Sequence, residues 1–311
     1  MRIALTGATG FAGKIILQEL LLENHVIAAL ARNPTHLKNT AITIVPGDLA
    51  DKTALAELVK NAECVVHVAG AISAHNRAGY FKANLDGTKL LYEAAKSAGA
   101  RRFVYVSSIT AREPLLSHYA ASKAAAEHFL LGQREGPEVL ILRPSAIYGP
   151  GDKATLPLLK ALQSNFAILP GRALSKFSLI HVKDFACVVA AAATSNAAGV
   201  LEVDDLSGGH TWADLVKFNR DIIGLPQKTV YAPKALAKTV AAGAELFAMF
   251  TLKPSITNRG KVAELYHTDW VARGTNWPRV NPIGLRQGYE ETLNWYIHEG
   301  WLQNKSENRR K

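Results

Sequence analysis

Short apolar runs rich in Val and Ile recur through the first half of the chain. They are RIALTG (2–7), HVIAALA (25–31), AITIVPG (41–47), CVVHVAG (64–70), RFVYVSS (102–108) and EVLILRP (138–144). Runs this short and this continuously apolar suit strands covered on both faces. Between them, the patterns over 11–23, 52–61, 80–98 and 118–132 predict helices. Strand and helix alternating in this way imply a doubly wound α/β domain built on a parallel sheet. Ligands of such sheets sit beyond the carboxyl ends of the strands.

After about residue 145 the regularity weakens. Pro and Gly punctuate PSAIYGPGD and LPGRAL, and the helical patterns over 211–223 and 234–250 lack regularly spaced strands between them. Two further runs, FSLIHV (177–182) and GVLEVDD (199–205), read as strands, so 177–205 is expected to return to the sheet of 1–145. Residues 146–176 and 206–303 then form a smaller, irregular lobe, and the tail 304–311 is expected to be disordered.

Composition narrows the class. Hydrophobic residues make up 48% and charged residues 20%, as in soluble globular proteins. Cys64 and Cys187 are the only cysteines and have no CxxC spacing, which fits a reducing cytoplasmic setting rather than a disulfide framework. The ten histidines show no HxxxH or HExxH pattern, so no metal site is inferred. No charged leader with a cleavage site precedes the first strand. The apolar segment 234–253 carries Lys238 and Glu245, which favours a packed or surface helix over a bilayer span and leaves peripheral membrane contact open. The net charge of +10 is spread along the chain, with no basic stretch interleaved with aromatics, and suits an anionic cofactor or lipid headgroups better than nucleic acid.

TGATGFAG (6–13) follows the first strand and opens the first helix. Gly7 allows the tight turn, Gly10 the approach of a pyrophosphate to backbone N–H groups, and Gly13 close packing of helix on strand. The partial positive charge of the helix N-terminus faces the phosphates, so 1–145 is read as a dinucleotide-binding domain. The end of the second strand selects the dinucleotide. An acid there would hold the ribose hydroxyls of NAD; this chain has Ala31, then Arg32, with Lys38 six residues on. A guanidinium suits a 2′-phosphate, so NADP(H) is favoured over NAD(H), the other reading being two solvated cations on a turn. Asp48 is read either as an acceptor for the adenine amino group or as the N-cap of the helix KTALAELV.

YAASK puts Tyr119 and Lys123 at i and i+4, on one helix face. A phenol near pKa 10 becomes a usable acid–base group beside an ammonium and an oxidised nicotinamide. Ser107 and Ser108, at the carboxyl end of a strand, offer a hydroxyl to a developing oxyanion.

Taken together, TGATGFAG, GDLAD, VVHVAGA, NLDGTKLLYEAAKSAGARRFVYVSS (84–108), YAASK, LRPSAIYGPGD (142–152) and IHVKDFA (180–186) resemble the extended short-chain dehydrogenases/reductases, the NAD-dependent epimerase/dehydratase family. The resemblance covers roughly residues 1–186 and implies a Rossmann fold. It implies that Tyr119 is the acid/base, Lys123 its activator and nicotinamide-ribose ligand, and Ser108, rather than Ser107, the polarising hydroxyl. It also implies cofactor contacts from Thr9, Phe11, Leu49, Ala69, Gly70, Asn84 and Pro144. Asn84 has a second reading as a helix cap, and His181 and Asp184 belong to a structural motif. A homodimer through helices 80–98 and 118–132 is a family-level implication.

Departures from the family point to the substrate. Ala146 and Phe177 stand where sugar-nucleotide enzymes carry Asn and Arg toward a diphosphate, and Arg172 is at best a substitute. ARNP, RPSAIYGPGD and YEETLNWYIHEGWL (289–302) are similar to the dihydroflavonol reductase and 3β-hydroxysteroid dehydrogenase-like branch. The expectation is a hydride-transferring enzyme for an apolar hydroxy or keto compound. The alternatives are a sugar-nucleotide epimerase or dehydratase with bound NAD, and a non-catalytic NADP(H) sensor or assembly subunit.

Overall fold

A computed structural model of the chain describes residues 1–37, 41–226, 228–239, 259–273 and 281–303. The six early apolar runs become β1 (Arg2–Thr6), β2 (Val26–Ala31), β3 (Ile42–Pro46), β4 (Cys64–His67), β5 (Arg102–Val106) and β6 (Glu138–Pro144). With Gly199–Val203 they form a seven-stranded sheet, in the order Gly199–Val203, β6, β5, β4, β1, β2, β3. Every neighbouring pair is parallel. Strand order reverses between β1 and β4, and that crevice is where a doubly wound sheet takes its ligand.

Each face of the sheet has its own core. On one, Ile3, Leu5, Ile16, Leu20, Phe185 and Val189 pack between the sheet, α1 (Phe11–Leu22) and the helix Val182–Thr194. On the other, Leu55, Leu58, Tyr92, Phe103, Tyr105 and Leu130 join the sheet to α2 (Lys52–Val59), Gly87–Ser97 and His118–Leu131. A third cluster, including Leu159, Leu162, Trp212, Leu215, Leu293 and Tyr296, belongs to the later part of the chain.

Local chemistry sets the helix ends. Ser117 starts His118–Leu131 by accepting from the Ala120 N–H at 2.9 Å. A reciprocal Thr211–Asp214 capping box opens Trp212–Ile223, and Gly224 closes it in the left-handed region at φ +70°. The N-cap of α2 is Asp51, accepting from Ala54 N at 3.0 Å, and not Asp48.

One expectation needs correction. Only the second late run, Gly199–Val203, enters the main sheet, where it pairs with β6. In the first, Leu179–His181 pairs with Ala146–Tyr148, and Lys176–Phe177 pairs with His210–Thr211 and Asp269–Trp270. The strand Gly199–Val203 occupies the outer edge of β6, and the main sheet does not extend to those segments. The helix Val182–Thr194 was not expected at all. Of the helix expected over 234–250, residues 234–239 are helical and the remainder lies outside the described residues, as does the tail 304–311.

A buried ion pair fixes the helix His118–Leu131 against the sheet. The Glu127 carboxylate, 4% exposed, accepts from Arg143 Nη2 at 2.6 Å and Nε at 3.0 Å. Ser107 Oγ donates to Glu127 Oε1 at 2.5 Å. Arg143 and Arg112 both reach Glu202, at 3.6 and 3.2 Å. Removing one partner of such a pair strands the other charge, so Glu127→Ala is expected to cost about 3–5 kcal/mol in urea unfolding. A cost below about 1 kcal/mol would contradict this role.

Candidate active site

The glycine turn is shaped by close approach. Gly7 has φ +81°, and a Cβ there would lie 2.7 Å from the Ala69 nitrogen. At Gly13 a Cβ would fall 1.9 Å from the Gly7 carbonyl oxygen, so α1 packs on β1 only with hydrogen at that position. The Gly10 N–H closes the turn on Gly7 O at 2.9 Å. Gly10 is also the N-cap of α1 and offers no side chain to the first N–H groups, which leaves them for an anion. Thr9 and Phe11 line the same groove.

Beside this turn, a buried relay of hydrogen bonds joins β1, β4 and the helical run 77–97. The Ala69 N–H donates to Thr6 Oγ1 at 3.2 Å, and Thr6 Oγ1 lies 2.7 Å from His67 Nδ1. On the other side of the ring, His67 Nε2 is 3.0 Å from Thr88 Oγ1, which donates to Asn84 O at 2.7 Å. Because Thr88 gives its proton to Asn84, His67 carries its own on Nε2 and accepts the Thr6 proton at Nδ1. Burial, reinforced by the Lys123 charge, pushes the imidazole down to about 3, so His67 stays neutral and structural.

Asn84 sits in a π turn, Lys82–Asp86, which aims its amide out of the helical register. Its Oδ1 accepts from Ala71 N at 2.7 Å, and its Nδ2 donates to Ala71 O at 3.1 Å and Ser122 Oγ at 2.9 Å. It pins the loop after β4 to the helix carrying Tyr119 and does not cap a helix. A Cβ on Gly70 would meet Asn84 Oδ1 at 2.8 Å and Lys123 Nζ at 3.4 Å. Gly70, Asn84 and Lys123 therefore converge on one point.

Lys123 is buried, and its Nζ donates to Val106 O at 2.8 Å and Tyr105 OH at 3.2 Å. Burial pushes the ammonium down to about 7, against the opposing charge of Glu127. One turn earlier, half-buried Tyr119 packs edge-on to Tyr80 at 6.3 Å between ring centroids. Burial raises the Tyr119 hydroxyl above its ordinary value, and a hydrogen bond with Ser108 works the other way. Ser108 begins the turn Ile109–Arg112, accepting from Thr110 N at 3.2 Å and Thr110 Oγ1 at 2.9 Å. Ser107 turns away, into Glu127. From the later part of the chain, Glu264 of the helix Arg259–Leu265 accepts from Ser117 Oγ at 2.5 Å, at the foot of the Tyr119 helix.

One continuous groove connects these residues. Toward β2 it is lined by Ala31, Arg32, Asp48 and Leu49; Arg32 is exposed, and Asp48 accepts from Ala50 N at 2.8 Å. Lys38 lies outside the described residues. In the other direction the groove passes Pro144 and Ala146 to Phe177, whose ring packs at a tilt against Trp212, 4.8 Å between centroids. Arg172 is not among the groove residues. His181 is buried against Tyr148, and Asp184 accepts from Ile283 N at 2.8 Å, so both hold the C-terminal helix Leu285–His298 in place. Sequence reasoning missed Glu127, His67, Ser122 and Glu264. Glu127 had a signal, since 119, 123 and 127 follow one another at i+4 on a single helix face.

Comparison with known proteins gives the chain's family and fold. The chain is 37% identical over 307 residues to a ceramide reductase of Caulobacter vibrioides, with 96% of each chain covered. It is 25% identical over 332 residues to a putative dihydroflavonol 4-reductase of Synechocystis, covering 96% of this chain and 95% of that one. Among solved structures, the UDP-glucose 4-epimerase of Thermus thermophilus in complex with NAD superposes with a TM-score of 0.68 at 22% identity, over 95% of this chain and 99% of that one. The family model for NAD dependent epimerase/dehydratase matches residues 3–203, the stretch that holds the glycine turn, Ser108, Tyr119 and Lys123. By that match and by its ceramide reductase relative, the chain belongs to the NAD-dependent epimerase/dehydratase family, within the extended short-chain dehydrogenases/reductases.

Proposed function

We propose that this chain is an NADP(H)-dependent oxidoreductase that interconverts a hydroxyl and a ketone on a long-chain lipid of the ceramide class. The observation that carries the reading is the conjunction of Ser108 and Tyr119, one turn from buried Lys123, with a groove walled by Leu116, Ile147, Leu158, Phe177 and Trp212. The ceramide reductase relative, matched over nearly its whole length, supports the substrate class. A sugar diphosphate would need polar partners where Ala146 and Phe177 stand. Residues 1–145 with 199–205 are read as the cofactor unit, and 146–176 with 206–303 as the part that takes substrate.

The residues present fit a dinucleotide. Gly7 and Gly70 leave the backbone bare where a Cβ would collide, and the uncapped first turn of α1 lines the groove. Thr9, Phe11 and Ala69 border the pyrophosphate position, Asp48 and Leu49 the adenine, and Pro144 the carboxamide. Arg32 is assigned to the 2′-phosphate and Lys123 to the nicotinamide ribose. The bound cofactor supplies or accepts the hydride. Tyr119, kept protonated at neutral pH by burial, gives its proton to the substrate oxygen in reduction, and Ser108 donates a hydrogen bond to that oxygen as charge develops.

Tyr119→Phe is expected to lower kcat by about 10²–10⁴ with NADPH affinity unchanged. Retained turnover would refute the acid/base role, and cofactor binding with no turnover in the parent would favour a sensor. Arg32→Ala is expected to weaken NADPH roughly tenfold or more in a fluorescence titration and to leave NADH unaffected. Equal loss for both, or NADH preference in the parent protein, would contradict the NADP assignment. Lys123, at about 7 in the free protein, is neutral above that pH, and an anionic cofactor favours its charged form. Binding at pH 8 is therefore expected to take up a proton, with affinity falling as pH rises. Calorimetry in buffers of different ionisation heat reads this uptake, and Lys123→Met should abolish it.

A further inference from the structure

The mouth of the groove carries more exposed apolar surface than a water-facing rim requires. Phe166–Pro170 and Lys228–Ala232 form a two-stranded parallel sheet in which Phe166 pairs with Lys228 and Ile168 with Val230. These four residues share one face, because side chains alternate along a strand. Phe166, Ile168 and Val230 are 52%, 58% and 45% exposed, whereas Ala167 and Leu169, on the opposite face, are buried. The small sheet therefore buries apolar residues on one side and leaves Phe166, Ile168 and Val230 about half exposed on the other, beside Lys228. Ile168 also lines the groove, as do exposed Ile72, Leu265 and Leu115, the last 99% exposed.

Cations border this strip. The stretch 228–239, KTVYAPKALAKT, holds three lysines and no acidic residue. Lys228, Lys234 and Lys238 are exposed, and none makes an ion pair with a described residue. Leu236, between the last two, is 57% exposed. Lys238 shares a shallow depression with Arg259 and Leu116, and Leu116 belongs to the groove wall as well. Lys228 thus sits beside Phe166 on the apolar strip, and Lys238 beside Leu116 at the groove wall that Ile168 also lines.

We propose that this face docks on an anionic bilayer surface, with Phe166, Ile168, Val230 and Leu236 entering the headgroup–acyl boundary and the lysines meeting lipid phosphates. A bilayer offers apolar depth and a negative surface together, which is the combination this face presents. The inference rests on the reading of the substrate as a long-chain lipid. The lipid would pass into the groove from the bilayer, past Ile168 and Leu115, without its chains crossing water.

The test uses the full chain with sedimented vesicles of phosphatidylglycerol mixed with phosphatidylcholine, and of phosphatidylcholine alone. Binding to the anionic vesicles is expected to exceed binding to the neutral ones at least tenfold and to weaken with salt. Val230→Asp/Leu236→Asp and Lys234→Glu/Lys238→Glu should each lower it at least tenfold. Both variants should reduce a water-dispersed short-chain keto amide at the parent rate and lose about tenfold on a long-chain keto amide embedded in anionic vesicles. The proposal is overturned if the parent ignores anionic vesicles, or if both variants bind them as the parent does. It is also overturned if the parent sediments as a dimer that these variants split, since a second copy would then cover the strip. Vesicle binding with no reduction of either keto amide would sink the substrate reading and leave the docking standing.

Discussion

Glu127 carries a carboxylate into the protein interior, where Arg143 grips it from β6 and Ser107 from the end of β5. Three chain segments distant in sequence are locked together by those bonds. The helix His118–Leu131 cannot slide or rotate on the sheet without breaking a buried, bidentate pair. Tyr119 and Lys123 lie on the same helix face, two turns and one turn away, so their positions follow from that lock. Ser107 is used up in the process, which leaves Ser108 for the groove. The ion pair is a means of holding register, with the chemistry placed beside it.

A second constraint works from the opposite side. Asn84, lifted out of register by a π turn, holds the loop after β4 and the Ser122 hydroxyl at once. Behind it, neutral His67 passes a directional chain of hydrogen bonds from Thr6 to Thr88. The groove floor is thus fixed by fully buried polar groups whose protons have a single consistent arrangement, the kind of network that specifies one geometry. Lys123 completes it. Its ammonium sits against a carbonyl and a phenol rather than water, and is held close to its neutral form.

Much of this was legible in the sequence. The continuous apolar runs announced a parallel sheet, and GxxGxxG and YAASK announced the turn and the helix that face each other across it. Other features were hidden for physical reasons. The helix Val182–Thr194 is buried so completely that it shows no polar face, and a run such as ACVVAAAAT has no period to read. FSLIHV looks like a central strand because it is apolar, yet it contributes short strands to two small sheets outside the main one. Thr6 and His67 lie 61 residues apart along the chain, His67 and Thr88 21 apart, and only the fold brings them together. Glu264 approaches the site from a segment with no motif of its own.

Ser108, Tyr119 and Lys123 are proposed to serve hydride transfer to a carbonyl in an apolar groove. Isotope tracing tests this most directly. The protein would be incubated with NADPH deuterated at nicotinamide C4 and a long-chain keto amide, and the product analysed by mass spectrometry. One deuterium on the carbinol carbon, from one face of the nicotinamide only, is the predicted result. Unlabelled product, or no product while UDP-glucose is epimerised without net consumption of cofactor, would contradict the account.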